Sequence, residues 1–426
     1  MSIPELYALY LRHPQAETDT RKLAEGSLFF ALRGPNFNGN AYVAQALKRG
    51  AVYCIIDDAE YTVPGKTILV EDVLQALQDL AAHHRQQFSI PFLAITGSNG
   101  KTTTKELIHA VLSTTYRTYT TEGNLNNHIG VPLTLLKIKP DAQMAIIEMG
   151  ANHQGEIASY CRIVQPTHGL ITNCGKAHLE GFGGVEGVRK GKGELFDSIR
   201  ANGGSVFLFN DYAYLAEMST GIASRYSYGT ESGEVVGNVI TSDPFLTVRI
   251  SSPYDATIAT QLVGSYNLPN VLAAVTIGQH FGVSQDHIKK ALESYTPSNS
   301  RSQLVKNGER TIILDAYNAN PSSMKLAIEN FAAAEGIHKT LVLGAMAELG
   351  EESLAEHQSI LQLINQYPWT SVVLVGGDFL KLETDHPTFA TAIEAGVWLQ
   401  QHLPTDAHLL VKGSRSTGME KVLEYI

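Results

Sequence analysis

The feature that most constrains this chain is an apolar run that passes directly into a glycine turn and a threonine-rich segment, Phe92-Leu-Ala-Ile-Thr-Gly-Ser-Asn-Gly-Lys-Thr-Thr-Thr104. The run Phe92–Thr96 predicts a strand, and Thr103–Ser113 predicts a helix. Gly97 and Gly100 allow backbone N–H groups to turn toward a phosphate without a Cβ clash. The helix that follows offers free N–H groups and the positive end of its dipole. The pattern therefore predicts a phosphate-binding turn in an α/β sheet.

The side chains of this turn favour a nucleoside triphosphate. Lys101 can reach the β- and γ-phosphates, and the hydroxyl of Thr102 can bind Mg²⁺. The usual spacing, GxxxxGK[ST], would have glycine where this chain has Ile95. The alternative is an ordinary strand-to-helix turn that contains glycine and lysine. We predict that ATP binds the whole turn, through Gly97, Ser98, Asn99, Gly100, Lys101, Thr102 and Thr103.

The first part of the chain has the pattern of a small mixed domain. Short apolar runs at 27–32 and 51–57 predict strands, with a helical segment between them at 41–49. Apolar residues at spacings of three and four predict an amphipathic helix over 71–87. The sequence from Phe88 to Pro91 interrupts this pattern and predicts a domain boundary.

Beyond this boundary, β-rich runs alternate with helical segments, which is typical of mostly parallel α/β sheets. A polar connector that contains proline, Thr296–Ser300, separates two such units. Strands are predicted at 92–96, 145–148, 169–172 and 206–209 in the first unit, which also has a helix at 272–281, and at 311–314, 341–343, 372–375 and 409–411 in the second.

We therefore predict an α/β protein of three domains, which agrees with a length of 426 residues at roughly 150 residues per domain. Residues 1–87 form a small mixed α/β domain. Residues 88–297 form a central parallel-sheet domain of the P-loop ATPase type, and residues 298–426 form a Rossmann-like C-terminal domain.

Composition excludes several classes of protein. The net charge of −10 argues against a general nucleic-acid binder, which normally carries a basic excess. No apolar run approaches the roughly 20 residues that span a bilayer, and the N-terminus lacks the pattern of a secretory signal. The three cysteines form no CxxC pair. We expect a cytoplasmic, monomeric protein that inserts into no membrane and handles anionic ligands with a few placed groups.

Several further motifs follow the phosphate-binding turn in a fixed order. Together with Thr96–Glu106, they resemble the Mur ligases and the related folylpolyglutamate synthetases. They are Gly123–Pro132, Glu148–Asn152, Thr172–His178, Lys192–Phe196, Asn267–Asn270, Asp315–Met324, Leu343–Gly350 with His357, and Lys412–Ser416. The form of Asp315–Met324 is similar to that of the family member that adds D-alanyl-D-alanine.

The resemblance implies an activity and its substrates. ATP would phosphorylate the terminal carboxylate of UDP-N-acetylmuramoyl-tripeptide, and the amine of D-alanyl-D-alanine would attack the acyl phosphate. The products would be UDP-N-acetylmuramoyl-pentapeptide, ADP and phosphate. Because the reaction brings anions together, cations must neutralise them. The resemblance implies that ATP and Mg²⁺ are bound and that Lys101, His178, Lys192 and Arg301 are catalytic.

The resemblance also implies the metal ligands Thr102, Glu148, His178 and Lys192, the lysine being carbamylated and therefore anionic. Glu148 would otherwise be a charge that caps a strand, and His178 a surface residue in a turn. The segment 189–196 alone has the pattern of a solvated basic stretch, and Lys190 is the alternative position for the carbamate.

Further roles are implied for the nucleotide and the substrates. Asn267, Asn270, Arg301 and Asp315 would bind ATP, since an asparagine amide matches an adenine edge. The chain departs from the family pattern at Tyr266 for histidine, Ser300 for glycine, Ala345 for aspartate, and Asn38-Gly39-Asn40 for Asp-Gly-His. The implied substrate-binding residues are Thr20, Arg21, Asn126, Asn127, Tyr317, Asn318, Asn320 and Ser322, the first two on the uridine-nucleotide domain and the last four near the dipeptide.

Three other hypotheses remain open from the sequence. Another member of the superfamily, such as the ligase for the third peptide residue or a folate-glutamate ligase, is disfavoured by the Tyr-Asn-Ala-Asn-Pro form at 317–321. A non-catalytic nucleotide-binding regulator would need Lys101, Glu148 or His178 to be absent. A plain P-loop ATPase would release phosphate without an amine acceptor.

Overall fold

The N-terminal domain is a small parallel sheet with helices packed on it. A computed structural model describes residues 1–298 and 300–426. The parallel strands run in the order β1-β2-β5-β6, and a short hairpin, β3–β4, lies apart from them. The elements are β1 Ala16–Glu17, β2 Leu28–Phe30, β3 Arg33–Gly34, β4 Phe37–Asn38, β5 Tyr53–Ile56, β6 Thr67–Leu69, α1 Ile3–Arg12, α2 Val43–Lys48 and α3 Val73–Arg85.

The central domain is built on a long sheet with the order β15-β14-β13-β12-β11-β10-β7-β9-β8. Its strands are parallel from β8 to β13 and antiparallel from β13 to β15. The strands are β7 Phe92–Thr96, β8 Thr118–Thr120, β9 Met144–Glu148, β10 His168–Ile171, β11 Ser205–Phe209, β12 Ser224–Gly229, β13 Val235–Thr241, β14 Thr247–Ser252 and β15 Ala256–Ala259. The helices are α4 Lys101–Leu112, α5 Gly130–Leu136, α6 Glu156–Val164, α7 Leu179–Phe182, α8 Val185–Asn202, α9 Ala213–Met218, α10 Leu268–His280 and α11 Gln285–Ser294.

The register of this sheet decides where its chemistry lies. Thr96 at the end of β7 pairs with Ile171 at the end of β10, and Ile95 pairs with Glu148 at the end of β9. Every residue of β7 and β9 is buried, as expected for parallel strands covered on both faces. The segments that leave β7, β9 and β10 therefore meet at one edge of the sheet, where α/β proteins bind their ligands.

The C-terminal domain has a sheet with the order β16-β17-β21-β18-β19-β20, parallel except for the β16–β17 hairpin. Asp315 and Lys412 are register partners at the ends of β17 and β21. The elements are β16 Gln303–Asn307, β17 Arg310–Asp315, β18 Lys339–Gly344, β19 Ser371–Val375, β20 Thr388–Phe389, β21 His408–Lys412, α12 Pro321–Ala333, α13 Ser353–Ile364 and α14 Ala392–His402.

Side chains of α3 join the N-terminal domain to the central one. His84 Nε2 lies 2.8 Å from the Ile138 carbonyl, and Arg85 Nε donates to the Val164 carbonyl at 2.7 Å. The predicted fold class of three α/β domains is confirmed. The predicted helix over 71–87 is the observed α3, trimmed at both ends. None of the described helices has the length and apolarity that a bilayer span requires.

His168 gives the central domain a testable acid sensitivity. Its ring packs against Phe207, His280 and Phe281. Burial lowers the pKa of His168 to about 4, and the neighbouring His280 adds to this effect. Because the unfolded chain binds this proton near pH 6.5 and the folded chain only near pH 4, stability rises with pH across that window and falls on acidification.

Acidification from pH 7 to pH 5 should therefore lower the free energy of unfolding by about 2 kcal/mol through this group. Denaturant titrations of the wild type and of His168→Phe, which keeps the ring packing, measure the difference. The variant should lose less stability than the wild type over this range. An identical loss in both proteins would contradict the assignment.

Candidate active site

The phosphate loop, residues 97–101, has a backbone that only glycine permits at two positions. Gly97 has φ +145°, and a Cβ there would lie 2.0 Å from the hydroxyl oxygen of Thr172. Gly100 has φ +78° and precedes α4, and a Cβ there would lie 2.8 Å from Asn270 Oδ1. The loop is thus pressed between the end of β10 and helix α10. Any larger residue would force it open.

Residues after β10 hold the phosphate loop in place. The backbone N–H of Ser98 donates to the Asn173 carbonyl at 2.9 Å, and that of Asn99 donates to Asn173 Oδ1 at 3.0 Å. The Thr172 hydroxyl donates to the Asn99 carbonyl at 2.6 Å. The Ser98 hydroxyl donates to the Gly175 carbonyl at 2.8 Å. The sequence motif at 172–178 therefore supports the loop as well as supplying a predicted metal ligand.

Lys101 folds back on its own loop. Its Nζ donates to the carbonyls of Gly97 at 2.6 Å and Ser98 at 3.3 Å. Burial lowers the pKa of Lys101, the Glu148 carboxylate opposes this, and the Arg301 cation adds to the lowering. Arg301 of the C-terminal domain thus acts on the phosphate loop. The two cations predicted to bind phosphate are therefore close enough to interact electrostatically.

Glu148 ends β9 and lies at the centre of the polar cluster. The Thr102 hydroxyl donates to Glu148 Oε1 at 3.1 Å, and Asn126 Nδ2 donates to the same oxygen at 2.7 Å. Lys105 Nζ lies 4.0 Å from Oε2, which has no hydrogen-bond partner among the described residues although the side chain is only 1% exposed. An unsatisfied buried carboxylate oxygen beside a threonine hydroxyl suits a hard cation such as Mg²⁺.

His178 follows β10 and faces the C-terminal domain. Its Nδ1 lies 2.5 Å from Glu348 Oε2, an ion-pair contact in which Nδ1 has no hydrogen-bond partner of good geometry within the described chain. His178 and Glu348 both have positive φ, +53° and +62°. No group of three or more His, Cys, Asp or Glu in the described part of the chain could hold a metal ion.

Lys192 is buried in the middle of α8, only 1% exposed. Its Nζ donates to the Ala151 carbonyl at 3.1 Å and lies 4.9 Å from the centre of the Phe182 ring. Burial lowers the pKa of Lys192 to about 7, and the nearby Lys101 contributes to this lowering. Lys190, the alternative from the sequence, is exposed. Lys192 therefore has the environment of a functional group and not of a solvated basic stretch.

The two asparagines predicted at the adenine are bonded to protein. Asn270 Nδ2 donates to Asn267 Oδ1 at 2.8 Å, and the Thr104 hydroxyl donates to Asn270 Oδ1 at 2.9 Å. Asn267 Nδ2 donates to the Val263 carbonyl at 2.9 Å. These bonds connect the start of α10 to α4. Contacts of these asparagines with adenine stay a prediction.

The C-terminal domain brings a second set of charges. The Arg301 guanidinium lies 3.7 Å above the Tyr317 ring, and that of Arg415 lies 5.6 Å from the same ring. Asp315 accepts from the Ser302 backbone N–H at 3.2 Å and from Lys412 Nζ at 2.5 Å. Asp315 is therefore fixed by its register partner.

The residues predicted near the dipeptide cluster at the start of α12. The Asn320 side chain caps that helix through Ser323 N at 3.0 Å, and the Ser322 hydroxyl accepts from the Lys176 backbone N–H at 3.0 Å. Asn318 Oδ1 accepts from the adjacent Ala319 N–H at 2.9 Å. The segment thus meets the central domain at the loop after β10.

The residues predicted to bind the uridine-nucleotide substrate are more dispersed. Thr20 and Arg21 form a short 3-10 helix of the N-terminal domain, where Arg21 pairs with Asp19 at 2.7 Å. Asn126 bonds Glu148, and Asn127 Oδ1 accepts from the Gly130 N–H at 2.8 Å at the start of α5. The structure does not bring Thr20 and Arg21 into contact with this pair.

The segment Asn38-Gly39-Asn40, where the family pattern has Asp-Gly-His, makes hydrogen bonds within the N-terminal domain. Buried Asn40 donates to Asn38 Oδ1 at 2.9 Å and to Asp57 Oδ1 at 2.7 Å. Arg33 Nε also donates to Asp57 Oδ1 at 2.7 Å. The asparagines therefore join two segments of the N-terminal domain.

Sequence reasoning missed several charged residues of the site. Lys105 is 2% exposed and lies beside Glu148. Its position one helical turn beyond the phosphate loop was the sequence feature that could have identified it. Lys176 Nζ lies 2.5 Å from Glu356 Oε1, across the boundary between the central and C-terminal domains. Glu348 lies within the motif 343–350, but its pairing with His178 could not be found from spacing, and neither could the pairing of Glu356 with Lys176, because the partners lie far apart in the chain.

This fold and site define a P-loop nucleotide-binding protein whose C-terminal domain contacts the nucleotide loop. Sequence models of three domains match: the Mur ligase family catalytic domain over 16–85, the Mur ligase middle domain over 95–278, and the Mur ligase glutamate ligase domain over 300–415. The chain belongs to the Mur ligase family, whose members use ATP to form amide bonds.

Similar proteins of known activity agree with this family assignment. UDP-N-acetylmuramoyl-tripeptide–D-alanyl-D-alanine ligase from Bacillus subtilis is 36% identical over 82% of this chain and 79% of its own. That from Escherichia coli is 35% identical over 95% of this chain and 92% of its own. MurF from Acinetobacter baumannii superposes with a TM-score of 0.87 at 33% identity, over 96% of this chain and 92% of that one. MurF ligase from Thermotoga maritima in complex with ADP gives 0.87 at 26% identity, over 97% of both chains.

Proposed function

We propose that the chain joins D-alanyl-D-alanine to UDP-N-acetylmuramoyl-tripeptide, using ATP and forming UDP-N-acetylmuramoyl-pentapeptide, ADP and phosphate. The reaction supplies a peptidoglycan precursor in the cytoplasm. The observation that supports the proposal is a contact between domains: Asn320, in the segment 315–322, donates a hydrogen bond to Asn99 of the phosphate loop, and the Arg301 guanidinium stacks on Tyr317 of the same segment. An amine held by that segment would lie beside the phosphate that activates the carboxylate.

The chemistry follows from the charges at this site. A carboxylate oxygen of the tripeptide attacks the γ-phosphorus of ATP, and the bond to the bridging oxygen of ADP breaks. Lys101 and Arg301 stabilise the charge that develops on the phosphoryl oxygens. The dipeptide amine then attacks the acyl carbon, loses a proton, and expels inorganic phosphate. Closure of the domains would exclude water, which would hydrolyse the acyl phosphate.

Mg²⁺ fits the residues around Glu148. Thr102 and Glu148 would hold one ion and His178 and Lys192 another, and bound Mg²⁺ would neutralise phosphate and acyl oxygens. The carbamate on Lys192 belongs to this proposal. Its support is a fully buried amine that has a backbone carbonyl and an aromatic ring as neighbours, and that would repel a metal if it stayed cationic.

Each domain then has a main ligand. Residues 1–87 would bind the uridine nucleotide through Thr20 and Arg21, residues 88–297 would bind ATP and the metal, and residues 298–426 would bind the dipeptide. Asn126 and Asn127 would contact the muramoyl substrate, while Asn267, Asn270 and Asp315 would contact the nucleoside. Tyr317, Asn318, Asn320 and Ser322 would line the dipeptide site. We propose that a single chain is the active unit.

The amine acceptor is the sharpest test of this function. Purified protein is incubated with ATP, Mg²⁺ and UDP-N-acetylmuramoyl-tripeptide, and with D-alanyl-D-alanine, L-lysine, diaminopimelate or L-glutamate in parallel. Mass spectrometry of the nucleotide product should show the pentapeptide mass with D-alanyl-D-alanine alone. Absence of the pentapeptide product, or addition of a diamino acid or glutamate to the tripeptide in place of the dipeptide, would contradict this function.

A further inference from the structure

An amide pair bridges the central and C-terminal domains at the phosphate loop. Asn320 Nδ2 donates to Asn99 Oδ1 at 2.7 Å, and Asn99 Nδ2 lies 3.5 Å from Asn320 Oδ1. The two residues are 221 positions apart in the chain. Asn99 is the middle residue of the phosphate loop, and Asn320 is the residue before α12. This contact is therefore a direct connection from the C-terminal domain to the ATP loop.

The orientation of the Asn320 amide is fixed by the helix that it caps. Its Oδ1 accepts from the Ser323 backbone N–H at 3.0 Å, and its own N–H donates to the Ser323 hydroxyl at 3.1 Å. Since the oxygen faces the helix, the nitrogen must face Asn99. Asn320 is 7% exposed, so a lost partner would leave a nearly desolvated donor unpaired.

Asn99 is held on its other side by the backbone contacts already described. Its N–H is bonded to Asn173, and its carbonyl accepts from Thr172 and from Asn173 Nδ2. The side chain is the part of this residue that faces α12. A displacement of α12 would thus be transmitted to the middle of the phosphate loop.

We propose that Asn320 is a positioning residue that sets the phosphate loop when the C-terminal domain closes. This inference deepens the proposed function, because it gives Asn320, which we place at the dipeptide site, a second role at the phosphate loop. Its amide oxygen and nitrogen are used within the protein, by Ser323 and Asn99. Asn320 therefore acts on nucleotide binding through Asn99, and closure and nucleotide affinity are coupled.

The test uses Asn320→Ser and Asn99→Ser in the full chain. Serine keeps the helix cap at position 320 but is too short to reach Asn99. Calorimetry measures the affinity for a nonhydrolysable ATP analogue with Mg²⁺, and each single variant should bind it about three- to tenfold more weakly. The double variant should bind no more weakly than the weaker single variant, because the two changes remove one interaction.

Ser323→Ala is the matched control, since it weakens the cap of α12 without touching Asn99. It should bind the analogue as the wild type does. An unchanged affinity in Asn320→Ser, or effects of the single variants that add in the double variant, would overturn the proposal. So would a KM for D-alanyl-D-alanine that rises in Asn320→Ser while the analogue affinity stays constant.

Analogue binding needs no ligation, which separates this inference from the proposed function. If the wild type fails to ligate the dipeptide but the coupling is measured, the proposed function is wrong and the positioning role stands. If the wild type ligates the dipeptide and the coupling is absent, the positioning role is wrong. Thermal melts of all variants identify any loss of affinity that comes from unfolding.

Discussion

Lys101→Ala should abolish ATP turnover, with a loss of about 10³-fold or more in phosphate release. Lys101 ends the phosphate loop, and its amine is held 2.6 Å from the Gly97 carbonyl, where it can turn toward a bound phosphate. Arg301 approaches the same region but stacks on Tyr317. Without Lys101 the transferred phosphoryl group would lose the cation nearest to it in the loop.

The control for this variant is the exposed Lys190, changed to alanine, which should release phosphate as the wild type does. Thermal melts should show that Lys101→Ala is folded, because its side chain bonds the loop and not the core. A Lys101→Ala variant that retains even a tenth of the wild-type rate would contradict the assignment of this loop to ATP.

Lys192→Ala should be nearly inactive and should partly recover when acetate or formate is added. The variant removes the carbamate that we propose to hold a metal ion, and a small carboxylate can enter the space and supply the same oxygens. Lys192 lies midway along α8 and is only 1% exposed, so its removal leaves room for a small carboxylate in the same place. The initial rate of phosphate release is followed against carboxylate concentration.

Lys190→Ala is the control for this variant as well, because Lys190 is the alternative position for the carbamate in the sequence. It should keep its activity and show no response to acetate. Full activity of Lys192→Ala without added carboxylate would eliminate the carbamate. Rescue of the Lys190 variant in place of the Lys192 variant would move the modification by two residues.

The sequence predicted the part of the fold that local pattern determines. The run Phe92–Thr96 is the observed β7. A short, mostly apolar run between a break and a glycine turn favours a buried strand. The order of motifs predicted the family, which is confirmed. The strands β13 to β15, at one end of the central sheet, were not predicted from the sequence. They are not covered on both faces, so they lack the continuous apolar run that marks the central strands, and their position depends on pairing with neighbouring strands.

The site was predictable at the ends of the parallel strands and less so between domains. Glu148, Thr102 and the phosphate loop lie together as strand order requires, and their roles in binding ATP and metal stay predictions. The contacts of His178 with Glu348 and of Asn99 with Asn320 depend on how the C-terminal domain sits on the central one. No spacing within a single segment carries that information.

The proposed reaction needs three substrates at once, and phosphate release tests this most directly. Protein, ATP and Mg²⁺ are combined with UDP-N-acetylmuramoyl-tripeptide, with and without D-alanyl-D-alanine, and inorganic phosphate is measured over time. We predict sustained release only when the dipeptide is present. Release that proceeds at the same rate without the dipeptide would contradict the ligase and favour a plain ATPase.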